Sequence, residues 1–330
     1  MAVLRKMVLT SLAMLVVLLG AMVLGLVLGS ADKGLLPFFR ALFHPGGESS
    51  LLETIIWEIR FPRVLVAALV GATLSLGGLV FQALLRNPLA EPYILGISGG
   101  AAIGAIIGIL LGLGRFPGVS LLSFAGGMAT LVLVLFIASG RALLRKEALL
   151  LSGVMVNAFC SAVIMFLISL TQDARIHNIM FWLMGDLSAA GTGEALRIAL
   201  MVLPCFGVIF WLSNSMNLLL MGKEMAHSMG VDVRFVNVVL LTATSFMVSA
   251  TVSHCGLVAF VGLVIPHMLR LLFGADHRVL APACLLGGAS YLVLCDVLAR
   301  TLPQHGEMPA GVITAMVGAP VFILLLKRTG

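Results

Sequence analysis

Charge is what this 330-residue chain has least of. Asp, Glu, Lys and Arg make up 10% of it, hydrophobic residues 61%, and the mean hydropathy is +1.16. A water-soluble domain carries roughly 25% charged residues, so this sequence cannot cover itself with a surface that water accepts. Five cysteines (Cys160, Cys205, Cys255, Cys284 and Cys295) stand singly in apolar segments, without CxxC or zinc-type spacing. His254 and His267 lack the companions of a spaced ligand set. No metal, cofactor or catalytic constellation is expected. The Gly222-Lys223 pair is followed by Glu224 and lacks the upstream glycine of a phosphate-cradling loop, so any ATP chemistry must be borrowed. The apolar runs hold a single acidic residue, Asp296, close to one end. Proton-coupled carriers place an ionisable group near the membrane midplane. That shortage argues against an ion-coupled secondary transporter of a small solute, the alternative function, although sodium can be held by carbonyls and hydroxyls.

What the chain does have is apolar length. A helix needs roughly 17–25 residues to cross the hydrocarbon. Ten runs are candidates, the eighth and tenth of them short: 7–28, 64–85, 94–113, 121–137, 149–170, 195–212, 235–252, 257–273, 279–298 and 311–326. They lack the sustained alternation of barrel strands, so the expectation is an all-α integral membrane protein with about ten transmembrane helices. An even number puts both termini on one side of the bilayer. With the termini in the cytoplasm, the 20 Lys and Arg divide twelve inside to eight outside, the sign that the positive-inside rule asks for. The net charge of +6 records that topology and is no nucleic-acid signature. The first run follows Arg5-Lys6 and precedes Gly29-Ser30-Ala31, but exceeds the 7–15 residues of a signal core. It reads as an uncleaved first helix.

The stretch RNPLAEPYILGISGGAAIGA, residues 86–105, interrupts this greasy pattern. Arg86-Asn87-Pro88 reads as a helix stop, with Asn in the left-handed cap and Arg at the negative helix end. Glu91-Pro92 reads as a helix start. Gly96, Gly100, Gly104, Gly108 and Gly112 then recur at every fourth residue, a small stripe that lets helix backbones approach closely. Further along, GKEMAHSMGV at 222–231 sets Gly222, Ala226 and Gly230 at intervals of four, beside Met221, Met225 and Met229. A short helix there shows a small face next to a methionine face. Methionine suits contact with a partner that changes shape, and an interfacial helix resting on lipid is the other reading. Asp296 and Arg300, at i and i+4, are expected to pair locally.

Taken together, RNPLAEPYILGISGGAAIGA, GKEMAHSMGV, RFPRVLVAALVGATLSLGGLVFQALLRNPLAEP (60–92), GLVAFVGLVIPHMLRLLFGADHR (256–278) and EMPAGVITAMVGAPVFILLLKR (307–328) resemble the FecCD-type permeases. These are membrane subunits of ATP-driven importers for ferric siderophores, haem and cobalamin. The resemblance covers most of the chain from Arg60 onward. It implies the type II ABC importer permease fold: one transmembrane permease domain over 1–330, with an inverted repeat relating helices two to five to helices seven to ten. It implies a homodimer in the bacterial inner membrane, driven by a cytoplasmic ABC ATPase dimer and supplied by a periplasmic substrate-binding protein. Residues 213–234 would form the cytoplasmic coupling loop, with Met221, Gly222, Met225, Ala226, Met229 and Gly230 against the ATPase. Arg60, Arg63 and Arg300 match family arginines that meet glutamates of the binding protein. Asn157 and Thr314, on the fifth and tenth helices, would line the translocation path.

Overall fold

The structure is a computed structural model describing residues 2–28, 54–138, 146–171, 173–188, 190–303 and 306–329. Lys33, Arg40, Arg141 and Arg145, which entered the charge count, and the Gly29-Ser30-Ala31 segment lie outside the described residues. Regular structure among the described residues is helical: α1 (Ala2–Val27), α2 (Phe61–Leu85), α3 (Ile97–Leu110), α4 (Ser120–Ala138), α5 (Lys146–Ser169), α6 (Asp173–Leu183), α7 (Thr192–Trp211), α8 (Ser213–Leu220), α9 (Lys223–Ser228), α10 (Val233–Cys255), α11 (Val261–Phe273), α12 (His277–Thr301) and α13 (Ala310–Thr329). Each of the ten apolar runs falls on a helix. Seven are long and apolar enough to cross a membrane, and α3, α11 and α13 are shorter apolar helices. The sequence did not announce α6 or α8, whose hydropathy is low. We call the end of the bundle holding both chain termini, α8 and α9 the terminal side, and the opposite end the distal side.

α2 is the axis of the bundle. It is apolar all round, which marks a buried helix, and 83% of its spanning window is buried against 22% for α5. It packs on α7, α10, α11 and α12. The contact with α12 is backbone to backbone. A Cβ on Gly71 would strike the Gly288 carbonyl, and one on Gly288 would strike Ser75 and the Gly71 carbonyl. The glycine stripe does the same between α3 and α4 over its middle portion. Gly104 faces the Leu122 carbonyl, and Gly100 faces Thr130 and the Gly126 carbonyl. Its ends do other work: Gly96 turns the chain into α3 with φ +75°, and Gly112 has nothing within 4 Å. Close approach of this kind substitutes for the hydrophobic drive that lipid does not supply.

Two short helices depart from the expected spans. The 94–113 run yields an α3 of 14 residues preceded by a 3₁₀ turn, Pro92–Leu95. The 257–273 run yields helix only from Val261, because Gly256 (φ +73°) and Phe260 (φ +68°) bend residues 256–260 out of helical geometry. Non-helical backbone inside a membrane bundle must find its partners in protein. Here the Tyr93 hydroxyl donates to the Val258 carbonyl at 3.1 Å and accepts from the Val258 N–H at 3.2 Å, while Leu257 N–H bonds to the Trp182 carbonyl. The turn after α2 thereby closes the break before α11.

Candidate functional site: the two polar ends of the bundle

On the terminal side, α8 and α9 form a small shelf. Met216 and Leu219 of α8 and Ala226 of α9 are buried against the bundle. Met221, Met225 and Met229 stand out from it, more than half exposed. Only Met225 lies on α9 itself, with Met221 and Met229 at its two flanks. The expected small face is not formed. Gly222 (φ +123°) and Gly230 (φ +84°) flank the six-residue α9 as corners, and only Ala226 faces inward. Glycine is needed there because other residues rarely adopt those angles.

Two polar attachments position the shelf, and neither was read from the sequence. Arg86 donates from Nη2 to the Leu219 carbonyl at 2.5 Å. Asn217 bonds to the start of α12: its Oδ1 accepts from the backbone N–H and from Nδ1 of His277, and its Nδ2 donates to Asp276, each at 2.8 Å. Asp276 is also the N-cap of α12 and pairs with Arg278 at 2.7 Å. Hydrogen bonding from Arg278 holds the Asp276 carboxyl well below its usual range, against the opposing effect of burial. Arg86 itself takes the left-handed cap of α2 (φ +48°), the place expected for Asn87. Asn87 instead accepts the Leu89 N–H in a local turn. Beside it, burial pushes the half-buried Glu91 carboxyl up to about 7.

On the distal side the three expected docking arginines come together, but they face inward. Arg63 donates from Nε to Asp296 at 2.9 Å and from Nη1 to Glu307 at 2.5 Å. Arg300 sets Nε 3.1 Å from the other Asp296 oxygen and donates from Nη2 to the Gly25 carbonyl of α1. Arg60 donates to the Leu26 and Val27 carbonyls at the end of α1. All three are buried, and Asp296 is 0% exposed. The expectation of guanidiniums presented outward is therefore corrected: they bind this chain's own carboxylates and carbonyls, joining α1, α2 and α12. Asp296 serves Arg63 as well as the expected Arg300. Glu307, its side chain 34% exposed, is the network's outer member.

A second distal cluster lies around the turn before α4. Arg115 pairs with Asp186 at 3.2 Å and donates to the Asp186 and His254 carbonyls. Burial raises the Asp186 carboxyl, but hydrogen bonds from Ser188 and the Arg115 charge bring it below its usual value. His254 is buried, its Nδ1 2.8 Å from the Ala250 carbonyl and its ring stacked on Phe116.

The two expected path residues are not brought together. Thr314 is 0% exposed and donates to the Gly311 carbonyl, while its own carbonyl accepts from Tyr291, so it does not line an open path. Asn157 is half-buried beside Gly99, on a helix that packs against α3 and α4, whereas α13 packs against α11 and α12.

Comparison with known proteins places this architecture. The model of the FecCD transport family matches residues 15–328. The chain belongs to the FecCD transport family. It is 42% identical over 294 residues to the vitamin B12 import system permease protein BtuC of Escherichia coli O139:H28, covering 87% of this chain and 86% of that one. The corresponding BtuC of E. coli strain SE11 is 42% identical over 284 residues, covering 84% and 85%. Among solved structures, a metal-chelate type ABC transporter in an inward-facing conformation superposes with a TM-score of 0.86 at 30% identity, over 96% of this chain and 98% of that one. PsaBC from Streptococcus pneumoniae, in complex with Fab, gives a TM-score of 0.56 at 16% identity over 88% and 94%, a likeness of fold alone. This FecCD chain is a multi-pass bacterial inner-membrane protein with the type II ABC importer permease fold, and a transport permease.

Proposed function

We propose that this permease carries a metal chelate inward as a homodimer driven by two copies of a separate cytoplasmic ABC ATPase and supplied by a periplasmic binding protein. The observation that carries the reading is the shelf of α8 and α9. Three exposed methionines, Met221 at the end of α8, Met225 on the short α9 and Met229 just after it, stand on a shelf fixed to the bundle by charged and amide hydrogen bonds. An adaptable apolar face on a firmly attached support suits a partner that changes shape through its cycle. With both termini in the cytoplasm, that face meets the ATPase, and the distal network faces the periplasm. Met221, Met225 and Met229 make the contact, Gly222 and Gly230 shape it, and Ala226 packs beneath it.

The binding protein docks over the Arg60, Arg63 and Arg300 network. Glu307 is the member that a partner carboxylate replaces there, because Asp296 is enclosed. The route for the chelate runs between the two copies, with Asn157 near it. Among the candidate chelates, cobalamin comes first, since the relatives at 42% identity are named for vitamin B12 import; ferric siderophore and haem follow. Titrating the cognate binding protein with cobalamin, a ferric siderophore and haem tests the choice. Cobalamin saturating at the lowest concentration supports the order given, and binding of another chelate with cobalamin inert overturns it.

A further inference from the structure

The Asn217 fork is more directional than a packing contact requires. One carboxamide oxygen faces two donors and the nitrogen faces a carboxylate, so the amide has one orientation and His277 Nδ1 carries a proton. His277 is 0% exposed and its Nε2 has no hydrogen-bond partner among the described residues. The ring is held by Asn217 rather than by a network of its own. Three bonds to the first residues of a helix fix both a distance and an angle, which sliding apolar surfaces do not. The helix so gripped, α12, runs unbroken from His277 to Thr301 and carries Asp296 between Arg63 and Arg300 at its far end. Arg86 holds the same α8 to the end of α2. The shelf is therefore tied to the two helices that cross at Gly71 and Gly288, and those same helices share the distal ion network.

We infer that Asn217 is the positioning residue through which movement of α8 and α9 is passed into α12, and along it to the distal network. The inference rests on the coupling reading given above. A packed rigid element with polar contacts at both ends can carry coupling between them, and α12 has such contacts at His277 and at Asp296. Asn217 spends its amide on bonds within this chain. It sets where α12 stands when the shelf moves.

The test uses the permease reconstituted in liposomes with its cognate ATPase and binding protein. Chelate delivered per ATP hydrolysed is measured, together with copurification of the ATPase and melting in detergent. Asn217→Leu removes the fork and keeps bulk. The expected result is retained ATPase assembly and hydrolysis, with delivery per ATP reduced about tenfold. Asn217→Asp, which sets carboxylate against carboxylate, should be equally uncoupled. Adding Asp276→Asn to it sets an amide opposite the carboxylate and rebuilds the bonds across to α8, while the Arg278 N–H loses its Oδ1 cap and the Arg278 side chain its ion pair. The carboxylate, now on α8, accepts from His277 and from the amide that has moved to the α12 cap. That double variant should deliver about threefold or more chelate per ATP than Asn217→Asp alone. A structural role alone would lower melting and uptake together at an unchanged ratio of chelate to ATP, and that outcome overturns the inference. So does a well-folded double variant that stays uncoupled. Met225→Asp, run in parallel, separates the two readings. If it copurifies and transports normally, the coupling assignment of the shelf fails, whatever Asn217 does.

Discussion

The two ends of α12 are both polar, yet they are built from different chemistry. At the distal end, one fully buried carboxylate sits between two guanidiniums and ties α1, α2 and α12 together. At the terminal end, a neutral amide bonds an imidazole and a carboxylate across to the short α8. Buried charges are expensive to separate, because each member left behind keeps its desolvation cost. The amide fork, with one of its three bonds to a carboxylate, contributes roughly 1–3 kcal/mol per bond and leaves no unpaired charge behind when it is lost from Asn217. The first arrangement locks three helices together at one end, and the second makes the other end of α12 follow the short α8.

That contrast breaks most sharply at Asp296. Asp296→Ala strands Arg63 and Arg300 in the core, and a loss of about 3–5 kcal/mol is expected. The melting temperature in detergent should fall further than for any terminal-side variant. If Asp296→Ala melts no lower than Asn217→Leu, the distal network is not a scaffold.

Gly104→Leu probes the interior without touching either polar end. Its side chain would meet the Leu122 carbonyl, so overpacking should cost about 1–3 kcal/mol. Gly20→Leu on the exposed side of α1, where nothing lies within 4 Å, is the control and should leave melting unchanged. Equal melting of the two would place that face of α3 against lipid.

Arg86 separates strain from attachment. Arg86→Ala loses the bond to Leu219 and keeps the left-handed angle. Arg86→Gly loses the same bond and relieves the angle, by about 1 kcal/mol. Gly should therefore melt above Ala. The reverse order would mean that the angle is not retained.

The smallest effect expected is on pH dependence. The Glu91 pKa rises from 4.5 to about 7 on folding, so the folded chain binds a proton that the unfolded chain releases. Stability from this group is full below about 4.5 and is lost as pH rises through 7. Glu91→Gln should flatten that part of the melting profile relative to wild type. Identical slopes between about pH 5 and 8 would show that the Glu91 carboxyl is not shifted.

Much of the fold was legible because apolar length is a local signal. Each of the ten runs became a helix, and the resemblance in RNPLAEPYILGISGGAAIGA pointed to the family that the comparison then showed. The breaks were less legible. Nothing in GLVAFVGLV sets 256–260 apart from helix until Tyr93, far away in sequence, is seen holding it open. Partners were not legible at all. Arg63 and Asp296 lie 233 residues apart, and Asn217 and His277 lie 60 apart, without a periodicity to link them. The resemblance assigned the arginines to a partner's glutamates and so hid their partners within the chain, and Asp296 was credited with only its i+4 neighbour. The exposure of the three methionines was expected, but from one helix face, whereas only Met225 lies on α9 and the other two stand at its flanks. The corner role of Gly222 and Gly230 was hidden by their helix-like spacing.

The central claim is that this permease works on borrowed ATP. Chelate uptake into proteoliposomes should be measured with the permease alone under imposed sodium and proton gradients, and again with the cognate ATPase, binding protein and ATP. The expected result is uptake only in the second preparation, abolished when ATP is replaced by a non-hydrolysable analogue. Uptake by the permease alone, driven by either gradient, would contradict it.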